Sequence, residues 1–297
     1  AVTREIVTMY KVDGIFSNRW DGSGMCYCEH CRRNFRAASG LELPRTENPQ
    51  DPARRAYSEW RERRLFELWR LWDAEIRKIN PRARYIANAG GGAMSGLDMK
   101  TVGELTPTLF ADRQGRSGAM APWANGKNGK EYRSTLGRKA IGGIFHVGIV
   151  GPYRWPDSTQ SAAETLIWVL DGIANGLRPW FNKVSGSVHD RRALKVIEDL
   201  YTWHYRNERY LRNEEPVARV GMVYSQQTAR HYGGTRARQK VEDHTLGMYQ
   251  ALIEARIPFE MVHDGVLDAV NVDRFKALLL PNIAALSDAQ CARLRAF

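Results

Sequence analysis

Short apolar runs alternate along the chain with longer stretches whose hydrophobic positions recur at helical spacing. The first run, within residues 9–17, carries Val12, Ile15 and Phe16 and ends in Asn-Arg-Trp-Asp-Gly, which predicts a strand opening into a loop. Two helices are predicted next, over 29–38 and 57–79. In the second, Leu65, Trp69, Trp72 and Ile76 repeat behind an Arg/Glu face, and Asn80-Pro81 stops it. Strands are predicted over 84–89, 108–112, 140–147 and 177–182, with helices over 158–175 and 191–212. The stretches 95–107 and 114–132 show no clear period and are predicted as long post-strand loops. Strands alternating with helices argue for a parallel sheet, closed or wound by crossovers, and long loops at strand ends are where such folds keep function.

The character changes near Asn213-Glu214-Glu215-Pro216. A strand over 217–224, a helix over 241–255, strands over 259–262 and 276–280 and a helix opening at Ser287 predict a second α/β unit of doubly wound type. It breaks off before its later strands, so both ends of the chain read as truncated. Ser225-Gln226-Gln227 stands where a G-x-G-x-x-G would be needed, so no nucleotide cofactor is expected.

The 297 residues are 43% hydrophobic, enough for one large domain or two of ordinary size. Lys and Arg number 44 against 33 Asp and Glu, a net charge of +11. The excess is spread along helical stretches (Arg61, Arg63, Arg64, Arg70; Arg206, Arg209, Arg212), and neither paired zinc knuckles nor an aromatic-basic motif accompanies it. A solvated surface is therefore expected rather than a nucleic-acid groove. The longest membrane candidate, 167–177, is broken by Asp171 and Asn175, and the first ten residues lack a signal-peptide pattern, so a cytoplasmic protein with no membrane partner is expected.

Three of the four cysteines fall in Cys26-Tyr27-Cys28-Glu29-His30-Cys31, a C-x-C-x2-C cluster just before a helix. Thiolates this close crowd one another's charge, and a Zn²⁺ ion resolves both charge and geometry; the alternative is three reduced thiols sharing a tight loop. A structural zinc needs four ligands. His30 is one option for the fourth and a cysteine upstream of this chain the better one. No open coordination position is expected for catalysis.

The stretch Val12-Asp13-Gly14-Ile15-Phe16-Ser17-Asn18-Arg19-Trp20, followed by this cluster and Cys31-Arg32-Arg33-Asn34-Phe35, resembles the fourth strand and loop of the glycoside hydrolase family 42 β-galactosidases, where such a loop and one earlier cysteine hold zinc. Residues 219–297 resemble the start of that family's trimerisation domain, and the Asp-Gly-Ile-Phe strand is also similar to the family 151 α-L-fucosidases. The resemblance implies a (β/α)8 TIM-type barrel lacking its first strands over 1–212, followed by a partial flavodoxin-like doubly wound domain over 213–297. It further implies an exo-acting, retaining glycosidase on oligosaccharides that assembles as a trimer. The sequence departs from that pattern where it matters. Asn18-Arg19 replaces the family 42 Asn-Glu pair, Asn18 falls near the fucosidase nucleophile position, and 141–148 offers His146 with no carboxylate. A sugar-binding relative without hydrolytic chemistry is the alternative.

Glycoside hydrolysis needs two carboxyl groups, about 5–5.5 Å apart in a retaining enzyme. Asp112, at a strand end with Arg113 able to keep it ionised, is the first candidate. Glu131, in the predicted loop 114–132, and Asp21, after the first strand, are the others. Asp13, among apolar strand residues, is expected to be buried. Sugar rings call for aromatic platforms and fork-like donors, and Asn18, Arg19, Trp20, Trp123, His146, Arg154 and Trp155 fall at strand ends or in post-strand loops. Trp180, inside a strand, is expected in the core.

Overall fold

The computed structural model describes residues 2–22, 24–48, 50–116, 119–148, 158–183, 190–212, 214–268 and 272–297. Helix α1 (Val2–Tyr10) precedes strand β1 (Gly14–Ser17) and takes up Met9 and Tyr10, which the sequence assigns to the strand. Only 14–17 pair, in parallel with β2 (Arg84–Ala87), with Gly14 opposite Arg84 and Ser17 opposite Ala87. Asp13, just outside the pairing, is exposed rather than buried, and its carbonyl accepts from Arg84 N.

Between these strands lie α2 (Glu29–Ser39) and the 28-residue α3 (Pro52–Ile79). Asp51 caps α3 by accepting from Ala53 N, Pro52 starts it, and Asn80 ends it before Pro81. Its buried face, Leu65, Phe66, Trp69 and Ile76, packs on Tyr85 and Ala87 of β2, and Val7 of α1 joins the same core. Next come α4 (Met99–Leu105), β3 (Thr108–Ala111), α5 (Ala124–Leu136), β4 (Ala140–Phe145), α6 (Ala162–Ala174), β5 (Leu177–Phe181) and α7 (Arg192–Asn207). Strands β3, β4 and β5 form one parallel sheet in that order. Leu109, Ile141 and Leu177 face the helices and extend the core built around Trp69 and Tyr85.

The other face of these strands carries an aromatic triad. Phe16, Phe110 and Trp180 meet edge to face, with ring centroids 5.2, 5.6 and 4.7 Å apart. Trp180 keeps 37% of its surface exposed, so it is part of an open aromatic face and not of the core.

Strand β6 (Val220–Tyr224) lies between β7 (Phe259–His263) and β8 (Ala277–Leu279), all parallel, in the order β7-β6-β8. Nearly every residue of β6 and β7 is buried, as expected for parallel strands covered on both faces. Tyr249 and Leu252 of α8 (Asp243–Glu254) cover one side. On the other, Leu267, Val272 and Phe275 pack with Val223 and Val262, with Leu294 of α9 (Asp288–Ala296) against them. A reciprocal capping box between Ser287 and Gln290 starts α9.

Helix α5 joins the β3-β4-β5 sheet to the β7-β6-β8 sheet, with β3, β4 and α6 on one side and β7 on the other. Lys130 Nζ donates to Phe259 O (2.7 Å) and Tyr224 Oη donates to Glu131 O (2.7 Å). Gln226 makes a second joint: its Oε1 accepts from Met99 N (2.9 Å), and its Nε2 donates to Leu97 O (2.9 Å) and Ser95 O (3.1 Å). Among the described residues no helix is long and apolar enough to cross a membrane.

Candidate active site at the strand ends

Five parallel strands end on five polar residues: Asn18 after β1, Asn88 after β2, Asp112 after β3, His146 after β4 and Asn182 after β5. Side chains two residues apart on a strand share a face, so Asn18, Asp112 and Asn182 continue the face that carries Phe16, Phe110 and Trp180. The backbone ladder runs on past the strands, with Asn88 N donating to Ser17 O and Asn182 N to Phe145 O, which fixes the register of these side chains.

Asp112 is the focus of the arrangement. Its Oδ2 accepts from Asn88 Nδ2 (2.8 Å) and its Oδ1 from Gln114 Nε2 (2.7 Å). Asn88 Nδ2 also donates to Asn18 Oδ1 (3.1 Å), which accepts from Arg19 N as well (2.9 Å). Arg19 itself sits in the left-handed region with φ 50°, at the start of the turn closed by Gly22 N on Arg19 O. The arginine expected to hold Asp112 does not pair with it: the Arg113 charge bears on Glu131 and Tyr132 instead. Two neutral amides therefore orient an exposed carboxylate and leave its outer lone pairs for a proton, a hydroxyl or an electrophilic carbon. Neither Asn88 nor Gln114 stands out in the sequence. The signal that finds them is their place directly after a strand and two residues beyond a strand-end acid.

The other candidates scatter. His146 closes β4, on the same side as Asp112, and is buried, with Nδ1 accepting from Gly148 N (3.0 Å) and its own amide donating to Gln114 O (3.0 Å). Asp21 turns to α3, where Arg61 Nη2 lies 3.2 Å from its carboxylate. Trp20 is not a sugar platform. It packs on Trp69 with centroids 5.4 Å apart, and its Nε1 donates to Asn88 O (3.1 Å) from the core side. Trp123 is likewise taken, stacked on Tyr249 of α8 and hydrogen-bonded to Gln250. Arg154 and Trp155 lie outside the described residues.

Glu131 departs furthest from expectation. It lies on α5 rather than in a loop, 4% exposed, and Lys127 Nζ donates to its Oε1 (2.6 Å) and to Glu242 Oε1 (3.0 Å). A carboxylate so enclosed cannot swing over a sugar ring. Among the described residues Asp112 is thus the one carboxylate directly following a strand of the first two sheets.

Beyond β1, the sulfurs of Cys26, Cys28 and Cys31 all lie within 4.8 Å of one another, a spacing compatible with a common Zn²⁺, whose tetrahedral thiolate ligands stand ~3.8 Å apart at ~2.3 Å from the metal. Burial, and then the neighbouring thiols, push Cys31 up to about 12. The Cys31 amide and the Cys26 thiol pull Cys28 below the ordinary thiol value. Cys28 thus gives up its proton more readily than Cys31, and a metal bound by the sulfurs would draw protons off. His30 is not turned to the sulfurs: its Nδ1 lies 3.0 Å from Arg33 Nη2.

No protein-family model and no curated protein matches the sequence. Solved structures do. A β-galactosidase from Bacillus circulans sp. alkalophilus is 13% identical with a TM-score of 0.75, the match covering 100% of this chain and 51% of that one. A family 42 β-galactosidase from G. stearothermophilus is 14% identical (TM-score 0.73; 100% and 52% covered). An α-L-fucosidase isoenzyme from Paenibacillus thiaminolyticus is 19% identical (TM-score 0.70; 99% and 41% covered). The chain spans about half the length of the two β-galactosidases and 41% of that of the fucosidase. Over that length its fold, parallel strands alternating with helices, is similar to theirs, in line with the resemblance drawn from the cysteine loop and its neighbouring strand.

Proposed function

We propose that the chain is the later part of a glycoside hydrolase, exo-acting and retaining, in which Asp112 is one of the two reacting carboxylates. The observation that carries this is the strand-end cluster: an exposed carboxylate aimed by Asn88 and Gln114 above the face that bears Phe16, Phe110 and Trp180. On this reading β1 to β5 with their helices, residues 1–212, belong to a (β/α)8 barrel whose ligand face is the C-terminal end of its strands. Residues 213–297 open a flavodoxin-type domain that drives trimer formation, and the substrate is a terminal sugar of an oligosaccharide. Asn18, Arg19 and His146 surround the reacting sugar, and the described part of the site adds no second carboxylate to Asp112.

The test is Asp112→Asn in the intact protein, assayed on a panel of nitrophenyl glycosides. Loss of a group needed in the transition state lowers kcat by roughly 10³-fold or more while the fold is unchanged. A fully active variant removes Asp112 from the reaction. Asn18-Arg19, at the end of β1 where an acid would be required, favours a second reading: a relative that binds sugar without cleaving it. Calorimetric binding of a sugar that no assay shows to be hydrolysed selects that reading.

The cysteine cluster is proposed as a structural zinc site that stiffens the loop after β1. Intact protein is expected to hold close to one equivalent of zinc by elemental mass spectrometry, and Cys28→Ser to lose it along with thermal stability. Zinc-free protein of unchanged stability counts against the site.

A further inference from the structure

Helix α5 carries a buried ion cluster that glycoside chemistry does not use. Lys127 and Glu131 are each 4% exposed, one turn apart, and Lys127 also donates to Glu242 in the helical turn before α8. Taking such charges out of water is costly, and apolar side chains of equal volume pack as well, so a cluster of this kind is better suited to fixing a geometry than to raising stability. What it fixes is visible around the Glu131 carboxylate. A Cβ on Gly92, a residue with φ +81°, would stand 2.8 Å from Oε1 and 3.0 Å from Oε2, so the carboxylate rests directly on the turn after β2. The next residue grips the same turn: Tyr132 Oη donates to Ala89 O (3.2 Å) and meets the amide of Gly91, against which its ring is packed. This turn begins at Asn88, whose side chain holds both Asn18 and Asp112. From the opposite side, Tyr224 of β6 donates to the Glu131 carbonyl (2.7 Å).

We propose that Glu131 is a positioning residue: held by Tyr224 and by Lys127, which is itself tied to Glu242, it sets the 89–92 turn and, through Asn88, the orientation of Asp112, so that the β7-β6-β8 sheet governs the geometry of the strand-end site. This rests on the reading of Asp112 as the reacting carboxylate only in its last step; the mechanical link to the turn stands on contacts alone.

The link is read by amide hydrogen exchange on the intact protein, comparing Glu131→Gln and Tyr224→Phe with the parent. Exchange over 89–92 is expected to speed up by about tenfold or more while 140–145 and 220–224 stay within about twofold, the signature of a local opening. Unchanged exchange over 89–92 in folded variants overturns the proposal, and so does acceleration spread equally over all three segments, which marks a merely structural role. Should Glu131→Gln not fold, Tyr224→Phe carries the test with the same expected acceleration and Glu242→Gln with a smaller one, and no acceleration over 89–92 in either overturns the proposal. If the protein hydrolyses a glycoside, the same variants are expected to lower kcat with KM nearly constant. If it hydrolyses none, the catalytic reading of Asp112 fails while the exchange result still decides whether the turn is coupled to the β7-β6-β8 sheet.

Discussion

Asn88 is the residue on which the site turns, because one side-chain amide serves two acceptors on neighbouring strands while its backbone carbonyl is held from behind by Trp20. Both acceptors, Asn18 and Asp112, are exposed, so water replaces the lost donor when Asn88 is truncated. Asn88→Ala is accordingly expected to cost no more than about 1 kcal/mol in urea unfolding, the usual net worth of one such hydrogen bond. Sugar affinity or kcat is expected to fall by about tenfold or more, since Asp112 is then aimed by Gln114 alone. Equal activity with and without the Asn88 amide breaks the claim that orientation matters here. Asp112 was legible in the sequence as a carboxylate at a strand end. Its partners were not, since the amides that hold it come from another strand and from two residues along the chain, and a reading confined to neighbours in sequence picked Arg113.

At the level of elements, the strands could be read from their short apolar runs and α3 from its 3.6-residue period, but α5 could not. Ala-Asn-Gly-Lys-Asn-Gly-Lys-Glu has two glycines, two asparagines and no apolar stripe in its first two turns, so intrinsic propensity and pattern both argue against a helix. Packing overrides them. The glycines let α5 approach the end of α6 so closely that a Cβ on Gly129 would stand 2.5 Å from Asn175 O, and one on Gly126 2.6 Å from the Asp171 carboxylate, while Asn125 Nδ2 donates to Trp168 O (2.9 Å). Burial drives the Asp171 carboxyl upward, opposed by the Gly126 amide that donates to it. A testable reversal of sign follows. In an open helix Gly→Ala stabilises by about 1 kcal/mol; here Gly129→Ala is expected to destabilise by about 1–3 kcal/mol, because a backbone carbonyl has nowhere to go. A rise in the denaturation midpoint would show that α6 yields and that the close approach is incidental.

On the scale of the whole chain, the two groups of strands are joined by buried polar contacts and not by a linker. Gln226, just after β6, is the clearest case. Its Oε1 accepts from Met99 N and also lies 2.8 Å from His263 Nε2. Because His263 Nδ1 accepts from Gly265 N (3.0 Å), the ring is protonated at Nε2 and donates to Gln226. Burial pulls the His263 pKa down, against the Asp264 charge, so the neutral ring is the folded form. A group whose folded pKa lies below its unfolded value adds stability above the unfolded value and withdraws it as pH falls toward the folded one, so the joint is expected to weaken on acidification through the ordinary histidine range. Gln226→Leu leaves the buried Met99 amide, Leu97 carbonyl and His263 Nε2 without the partner Gln226 gives them, at about 1–3 kcal/mol for each group left unsatisfied. The parent protein is therefore expected to melt in one cooperative transition, and Gln226→Leu to split it, with exchange over 220–224 and over 84–87 no longer lost together. In that variant the acid weakening attributed to His263 is expected to persist, since the burial of the ring and the Gly265 amide at Nδ1, which an imidazolium cannot accept from, are unchanged. Two separate transitions already present in the parent protein would mean that the strand-end sheets and the β7-β6-β8 sheet are energetically independent in spite of these contacts.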